Sequence, residues 1–323
     1  MRPFRSGFSN ELENFVQYRK ASGSWNEHAS QQNLEYFDHY CADNYEESSK
    51  PIQSMIDGWC KKRDSETSGS CYIRTLPARQ FIEYLACRGM TDVKVPHAPK
   101  LDKRKYVPHA FSDEELARFF EACDSIVPYK NRLASIIRKL QCPAFFRLLY
   151  SSGIRTTEAR YLRRADVDLA HGVLNIQKSK GYDQHYVALH ETMTELLVTY
   201  DTAINKLQPG RTWFFQSLKG DCYGRDWVND NFKKLWCTAN GDPKGLVPYD
   251  LRHHYAIENI CSWEDDSFSF SEKLHYLSKS MGHRWIKSTL YYYSIVPRLA
   301  DKLQEKTEAG FNEIVPEVWD EED

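Results

Sequence analysis

The stretch Met281-Gly282-His283-Arg284-Trp285-Ile286-Lys287-Ser288-Thr289-Leu290-Tyr291-Tyr292-Tyr293 decides how the chain is read. A Gly-His pair closes one helix, a short polar turn follows, and the next helix carries three consecutive tyrosines. By itself such a run reads as core or interface aromatic, because large rings with one polar end favour half-buried sites. Three upstream stretches change its meaning: Gly153-Ile154-Arg155-Thr156-Thr157-Glu158-Ala159, Lys178-Ser179-Lys180-Gly181 and Pro248-Tyr249-Asp250-Leu251-Arg252-His253. Arginine, lysine, arginine, histidine and tyrosine then follow one another along the chain, a set of cations, an imidazole and a phenol suited to an anionic substrate.

Composition bounds the rest. A length of 323 residues suggests two domains, and 41% hydrophobic with 27% charged residues suits a soluble, globular, cytoplasmic protein with a sizeable core. No apolar run approaches the roughly 18 residues of a membrane helix, and the start Met1-Arg2-Pro3-Phe4-Arg5-Ser6 lacks the apolar stretch of a secretory signal. Nine cysteines without a CxxC pair indicate neither a disulfide framework nor a zinc knuckle. The net charge of -2 excludes a protein basic all over, but not a nucleic-acid partner, since binding depends on where charge sits. Acid gathers at Trp263-Glu264-Asp265-Asp266 and in the tail Trp319-Asp320-Glu321-Glu322-Asp323. Base gathers at Lys100-Leu101-Asp102-Lys103-Arg104-Lys105, from Arg160 to Arg164, and around the candidate site.

Residues 1–92 read as a helical domain. Phe8, Leu12, Phe15 and Tyr18 recur at helical spacing behind Ser9 as a possible N-cap, and further helices are expected from Leu34 to Tyr40, Ile52 to Lys61, and Ser68 through Leu85. Residues 93–111 form a linker in which Pro96, Pro99 and Pro108 disfavour regular structure. Lys100, Lys103, Arg104 and Lys105 within it are candidates for tracking DNA phosphates; a solvated tether is the plainer reading.

A second domain is expected over 112–297. Ser112 ahead of Asp113, Glu114 and Glu115 is a capping box, with Phe111 and Leu116 as its hydrophobic staple. Pro143 is expected to open the next helix, which Gly153 closes. Thr156 or Thr157 can cap the helix after that, leaving Arg155 in the tight junction, where a structural pairing with Glu158 is the alternative to a functional role. Period-two patterning predicts strands at Val173-Leu174-Ile176 and Tyr186-Val187-Leu189 around a turn carrying Lys180. Helices are then expected over Met193 to Leu207, Trp227 to Ala239, Tyr249 to Trp263 and Phe270 to Met281, and a separate tail over 298–323. The fold class is therefore mainly α with a small antiparallel β-sheet.

The second domain resembles the tyrosine recombinase, or phage integrase, family. Gly153-Ile154-Arg155-Thr156-Thr157-Glu158 matches the family's Gly-x-Arg-x-x-Glu box, and Met281-Gly282-His283 matches its Leu-Gly-His. The family tyrosine stands nine residues after that histidine, which selects Tyr292. Val187-Ala188-Leu189 stands where the family has Val-Pro-Leu, which selects Lys180 over Lys178. The box His-x-Leu-Arg-His appears as Tyr249-Asp250-Leu251-Arg252-His253, so Arg252 is kept and Tyr249 replaces the first histidine.

The resemblance implies a site-specific recombinase that cuts one strand per subunit through a 3′-phosphotyrosine and rejoins it to a partner's 5′-hydroxyl. Arg155 and Arg252 would hold the phosphate oxygens through planar, charge-assisted hydrogen bonds, and Tyr292 would attack. Lys180 would protonate the departing oxygen, His283 would bond the phosphate, and Tyr249 would be a supporting phosphate contact, since a phenol donates well but accepts a proton poorly near neutral pH. No cofactor or metal is expected. Double-stranded DNA, a homo-tetramer on two duplexes, and an accessory DNA-bending or directionality factor are the expected partners. A type IB topoisomerase, or a DNA-binding protein of this fold that has lost catalysis, are the alternatives.

Overall fold

The protein is described by a computed structural model covering residues 4–23, 25, 29–45, 48–99, 108–177, 184–263, 268–283 and 285–294. Lys100, Lys103, Arg104, Lys105, Lys178, Lys180 and the tail 298–323 lie outside these residues. Contacts divide the chain into two compact units, Met1–Arg104 and Lys105–Asp323.

The first unit is built from α1 (Ser9–Ala21), α2 (Ala29–Asn44), α3 (Gln53–Cys60) and α4 (Ser68–Ala86). Their apolar stripes meet in a core that includes Phe8, Phe15, Phe37, Trp59 and Phe81. Ser9 does not cap α1; the N-cap position is Phe8, whose ring packs into that core. The chain entering α1 is held instead by buried Asp38, whose carboxylate accepts the backbone N–H groups of Arg5 at 2.6 Å and Ser6 at 3.0 Å. A buried carboxylate with two such donors avoids the cost of an unpaired charge.

The second unit opens with α5 (Asp113–Asp124), and its capping box forms: Glu115 N–H donates to Ser112 Oγ at 3.2 Å and Ser112 N–H donates to the Glu115 carboxylate at 3.0 Å. α6 (Leu133–Ser152) runs through the centre of the core and packs against α5. Pro143 lies inside this helix and does not open it. Proline there cannot donate to the carbonyl of Lys139, yet Cys142, Ala144, Phe145 and Phe146 are all buried around it, so packing carries the helix across the missing bond. α7 (Thr156–Arg160) follows, then an antiparallel sheet of β1 (Val167–Asp168), β2 (Val173–Ile176) and β3 (His185–Ala188) in that order. Leu174 faces Val187 across the β2–β3 pair, and Ile176 faces His185. β1 was not evident from patterning, being only two residues long.

α8 (Glu191–Leu207) packs on α6, and α9 (Arg225–Asn240) on α5. α10 (Asp250–Cys261) also packs on α6, and α11 (Phe270–Ser280) contacts both α10 and β3. The stretch after Gly282 differs from expectation: α12 is one turn, Lys287–Leu290, and the tyrosines lie on a 3₁₀ segment, Tyr291–Ser294. The fold is thus mainly α with a small antiparallel sheet. Among the described residues no helix is long and apolar enough to cross a membrane.

Phe145 is fully buried in the ring cluster around α6, stacked edge-on against Phe146, Phe215 and Trp227. Phe145→Ala is expected to destabilise the second unit by about 3–5 kcal/mol, read as a lowered urea midpoint.

Candidate active site

α6 ends at Gly153, which adopts a left-handed conformation at φ 62°. A Cβ there would lie 2.2 Å from the Tyr255 ring, so both backbone and space demand glycine. Arg155 follows as the N-cap of α7; neither threonine takes that place. Its backbone N–H donates to the Glu158 carboxylate at 2.8 Å, and its Nη1 donates to the same buried carboxylate at 2.5 Å. The pairing with Glu158 is therefore real, but it does not exhaust the side chain: Nη2 donates to the carbonyl of Gly282 at 2.9 Å.

Arg252 stands in the first turn of α10 and is 1% exposed. Its Nη1 donates to the carbonyl of Gly153, and its Nη2 donates to the carbonyl of Met281 at 2.7 Å and meets His283 Nε2 at 2.9 Å. Burial holds its pKa below the usual arginine value. The two arginines thus tie the end of α6 to the turn after α11. That turn is itself tight: Gly282 has φ 62°, and a Cβ on it would lie 2.4 Å from the His185 ring of β3.

An arginine N–H can only donate, so His283 Nε2 accepts and the ring proton is assigned to Nδ1. Nδ1 then donates to Thr289 Oγ1 at 2.7 Å. Burial, with the charges of Arg252 and Arg155, pushes the His283 pKa down to about 3, which keeps the ring neutral. Both nitrogens are engaged, so in this arrangement His283 orients Arg252.

Tyr292 is 2% exposed and lies in an apolar cluster with Ile257, Ile260, Leu277 and Met281. Burial pushes its phenol up to about 12, against the opposing charges of Arg252 and Arg155. The phenol oxygen is 3.2 Å from Nδ1 of His253, the residue after Arg252 on α10. Burial pushes the His253 pKa down to about 4. Tyr249, more than a third exposed, precedes α10 with its ring 4.9 Å from that of His253 and 6.0 Å from the Arg252 guanidinium carbon.

The structure therefore gathers Arg155, Arg252 and His283 at the Met281–His283 turn, Arg252 bonded directly to His283 and Arg155 to the Gly282 carbonyl, with Tyr292 and Tyr249 linked through His253. The profile of the phage integrase family matches residues 110–297. The chain belongs to that family. It is 31% identical over 220 residues to a putative integrase/recombinase of Sinorhizobium fredii, covering 66% of this chain and 69% of that protein. It is 26% identical over 236 residues to the tyrosine recombinase XerD of Rhizobium meliloti, covering 70% of each. Among solved structures, XerH recombinase bound to a palindromic difH substrate in a post-cleavage complex has the same fold, with a TM-score of 0.66 at 14% identity over 94% of this chain and 98% of that one. The phage integrase assignment makes this protein a tyrosine-type site-specific DNA recombinase.

The sequence named Glu158 as a partner of Arg155 but did not single out His253, Thr289 or His185 as parts of this site. His253 had a local signal, since it lies four residues after Tyr249 and so on the same helix face. His185 meets Gly282 across a long sequence separation and had none, and Thr289, six residues from His283, belongs to none of the matched boxes.

Neutral burial of His253 and His283 predicts an acid-sensitive fold. Unfolded imidazoles titrate near 6.5, so below that pH the unfolded chain binds protons that the folded site refuses. Stability should fall as pH drops from about 6.5 towards 4, by up to ~1.4 kcal/mol per pH unit for each histidine. Urea denaturation at pH 7.5, 6 and 5 (conditions chosen for the assay) should show a shallower decline for His253→Gln than for wild type. Equal slopes would mean that His253 is not held neutral.

Proposed function

We propose that the second unit breaks and rejoins DNA strands through a 3′-phosphotyrosine, with Tyr292 as nucleophile. The observation that carries this reading is the convergence of Arg155, Arg252 and His283 on the Met281–His283 turn, with the Tyr292 phenol held from the same helix as Arg252. A phosphodiester resists attack because it is anionic and its leaving alkoxide is poor. Cationic donors held in place by the fold stabilise charge as it builds in the transition state. The bonds of Arg252 occupy three of its five N–H groups, which leaves Nε–H and one Nη1–H for phosphate oxygens among the described residues. Tyr292 is buried, so attack requires the phosphate to reach the phenol through the groups that cover it.

In the cleavage step the Tyr292 oxygen bonds to phosphorus and the bond to the 5′ oxygen breaks. Lys180 supplies the proton to that oxygen, and Tyr249 donates a supporting hydrogen bond to the phosphate. A 5′-hydroxyl from a partner strand reverses the sequence. DNA is gripped by the helical domain, residues 1–92, and by Lys100, Lys103, Arg104 and Lys105 of the linker, 93–111, with catalysis in 112–297. Four copies work on two duplexes in the cytoplasm, the segment 298–323 docks on a neighbouring copy, and an accessory DNA-bending or directionality factor assists. A binding-only protein has less support, since the buried arginine and histidine bonds assemble a site that DNA affinity does not need.

Phenylalanine substitutions at Tyr291, Tyr292 and Tyr293 test the nucleophile on a nicked suicide substrate. Only Tyr292→Phe should abolish the covalent adduct while still shifting DNA in a gel. Lys180→Ala should cleave slowly, by ~10²–10⁴-fold, and recover on a substrate whose 5′ bridging oxygen is replaced by sulfur, a leaving group that needs no proton. Absence of recovery would remove Lys180 from that role.

A further inference from the structure

We propose that His253 is a catalytic residue, its Nδ1 taking the phenolic proton from Tyr292 as the phenol oxygen attacks phosphorus. The inference rests on the assignment of Tyr292 as nucleophile. Its first support is geometric. Nδ1 lies 3.2 Å from the phenol oxygen, within reach for proton transfer, and the two rings meet edge-on at 64°.

The second support is elimination. The charged groups that act on Tyr292 are Arg252 and Arg155, which have no acceptor. His283 has one nitrogen on Arg252 and the other on Thr289. The nearby carboxylates are turned elsewhere: Asp250 accepts Val247 N–H at 2.9 Å, and Glu158 accepts from Arg155. Tyr249 and Tyr291 offer only phenols. His253 Nδ1 is the acceptor to which the Tyr292 phenol is hydrogen-bonded among the described residues. It stands one turn along α10 from Tyr249, so the helix face that presents a phenol at 249 presents an imidazole at 253.

The electrostatic setting agrees with such a role. Burial keeps His253 neutral, so the acceptor is in place at neutral pH. Buried Tyr292 does not ionise by itself there, so transfer has to accompany bond formation. The arriving phosphate brings a negative charge that stabilises the imidazolium. The balance is closed: the proton moves from the phenol oxygen to Nδ1 with the ring proton on Nε2, the oxygen–phosphorus bond forms, and the 5′ oxygen leaves with a proton from Lys180. Rejoining returns the His253 proton to the phenol.

The test is single-turnover adduct formation on a nicked suicide substrate by the full chain. His253→Gln and His253→Asn should be slowed by ~10²–10⁴-fold while still shifting DNA. Installing 3,5-difluorotyrosine at 292, whose phenol ionises more readily, should bring either variant to within about tenfold of wild type, which a merely structural role for His253 would not allow. Cleavage by either variant at near the wild-type rate, or a slow variant that fluorination leaves slow, overturns the proposal. If both variants unfold, the fluorinated protein with His253 intact decides: a base in place predicts a rate change under about threefold at pH 7, and a rise above about tenfold shows that none is used. Failure of the nucleophile assignment would show separately, as an adduct still formed by Tyr292→Phe.

Discussion

The second unit places a permanent positive charge where water does not reach, and much else in the site follows from accommodating it. A guanidinium cannot shed its proton in a protein, so Arg252 must find acceptors nearby or destabilise the fold. It finds two backbone carbonyls, at Gly153 and Met281, and one imidazole nitrogen. The carbonyls are available because α6 and α11 both end in turns through a glycine with positive φ, which frees groups that a continuing helix would use. Arg155 repeats the arrangement on Gly282. Two helix ends and two arginines therefore fix one another, and the position of each depends on all four.

The same charge governs the two histidines. His283 is compelled to accept from Arg252, which settles its tautomer and commits its other nitrogen to Thr289. His253, next along α10, is kept neutral by burial and faces the phenol. Among the described residues the site thus holds cations and neutral acceptors side by side, with the hydrogen bond of the phenol made to an imidazole. That distribution suits a substrate which itself arrives with negative charge.

How much of this was legible in the sequence depends on the range of the interaction. Arg155, Arg252, His283 and Tyr292 were visible because residue type, order and spacing repeat a known pattern. The capping box at Ser112 was visible because it is local. Pro143 misled because its backbone penalty is local, whereas the packing that overrides it comes from α5, α8 and α10. Thr156 and Thr157 are good caps by type, yet the junction uses Glu158 on the Arg155 backbone because the arginine side chain is drawn to Gly282. His253 stood in plain view within a quoted motif, but its partner is 39 residues away, and only the fold joins them.

The 3₁₀ segment that ends the described chain gives two adjacent tyrosines, Tyr291 and Tyr292, different surroundings. With about three residues per turn, consecutive side chains diverge, so Tyr292 lies within the buried cluster while Tyr291 packs against its margin. Thr289 and Tyr292 are three residues apart and share a face: the hydroxyl of one is held by His283 and the phenol of the other by His253. The threonine therefore acts as an index mark. Chemically the two phenols are equivalent, and what tells them apart is the angle at which the chain arrives, set a turn earlier where Thr289 is held by His283.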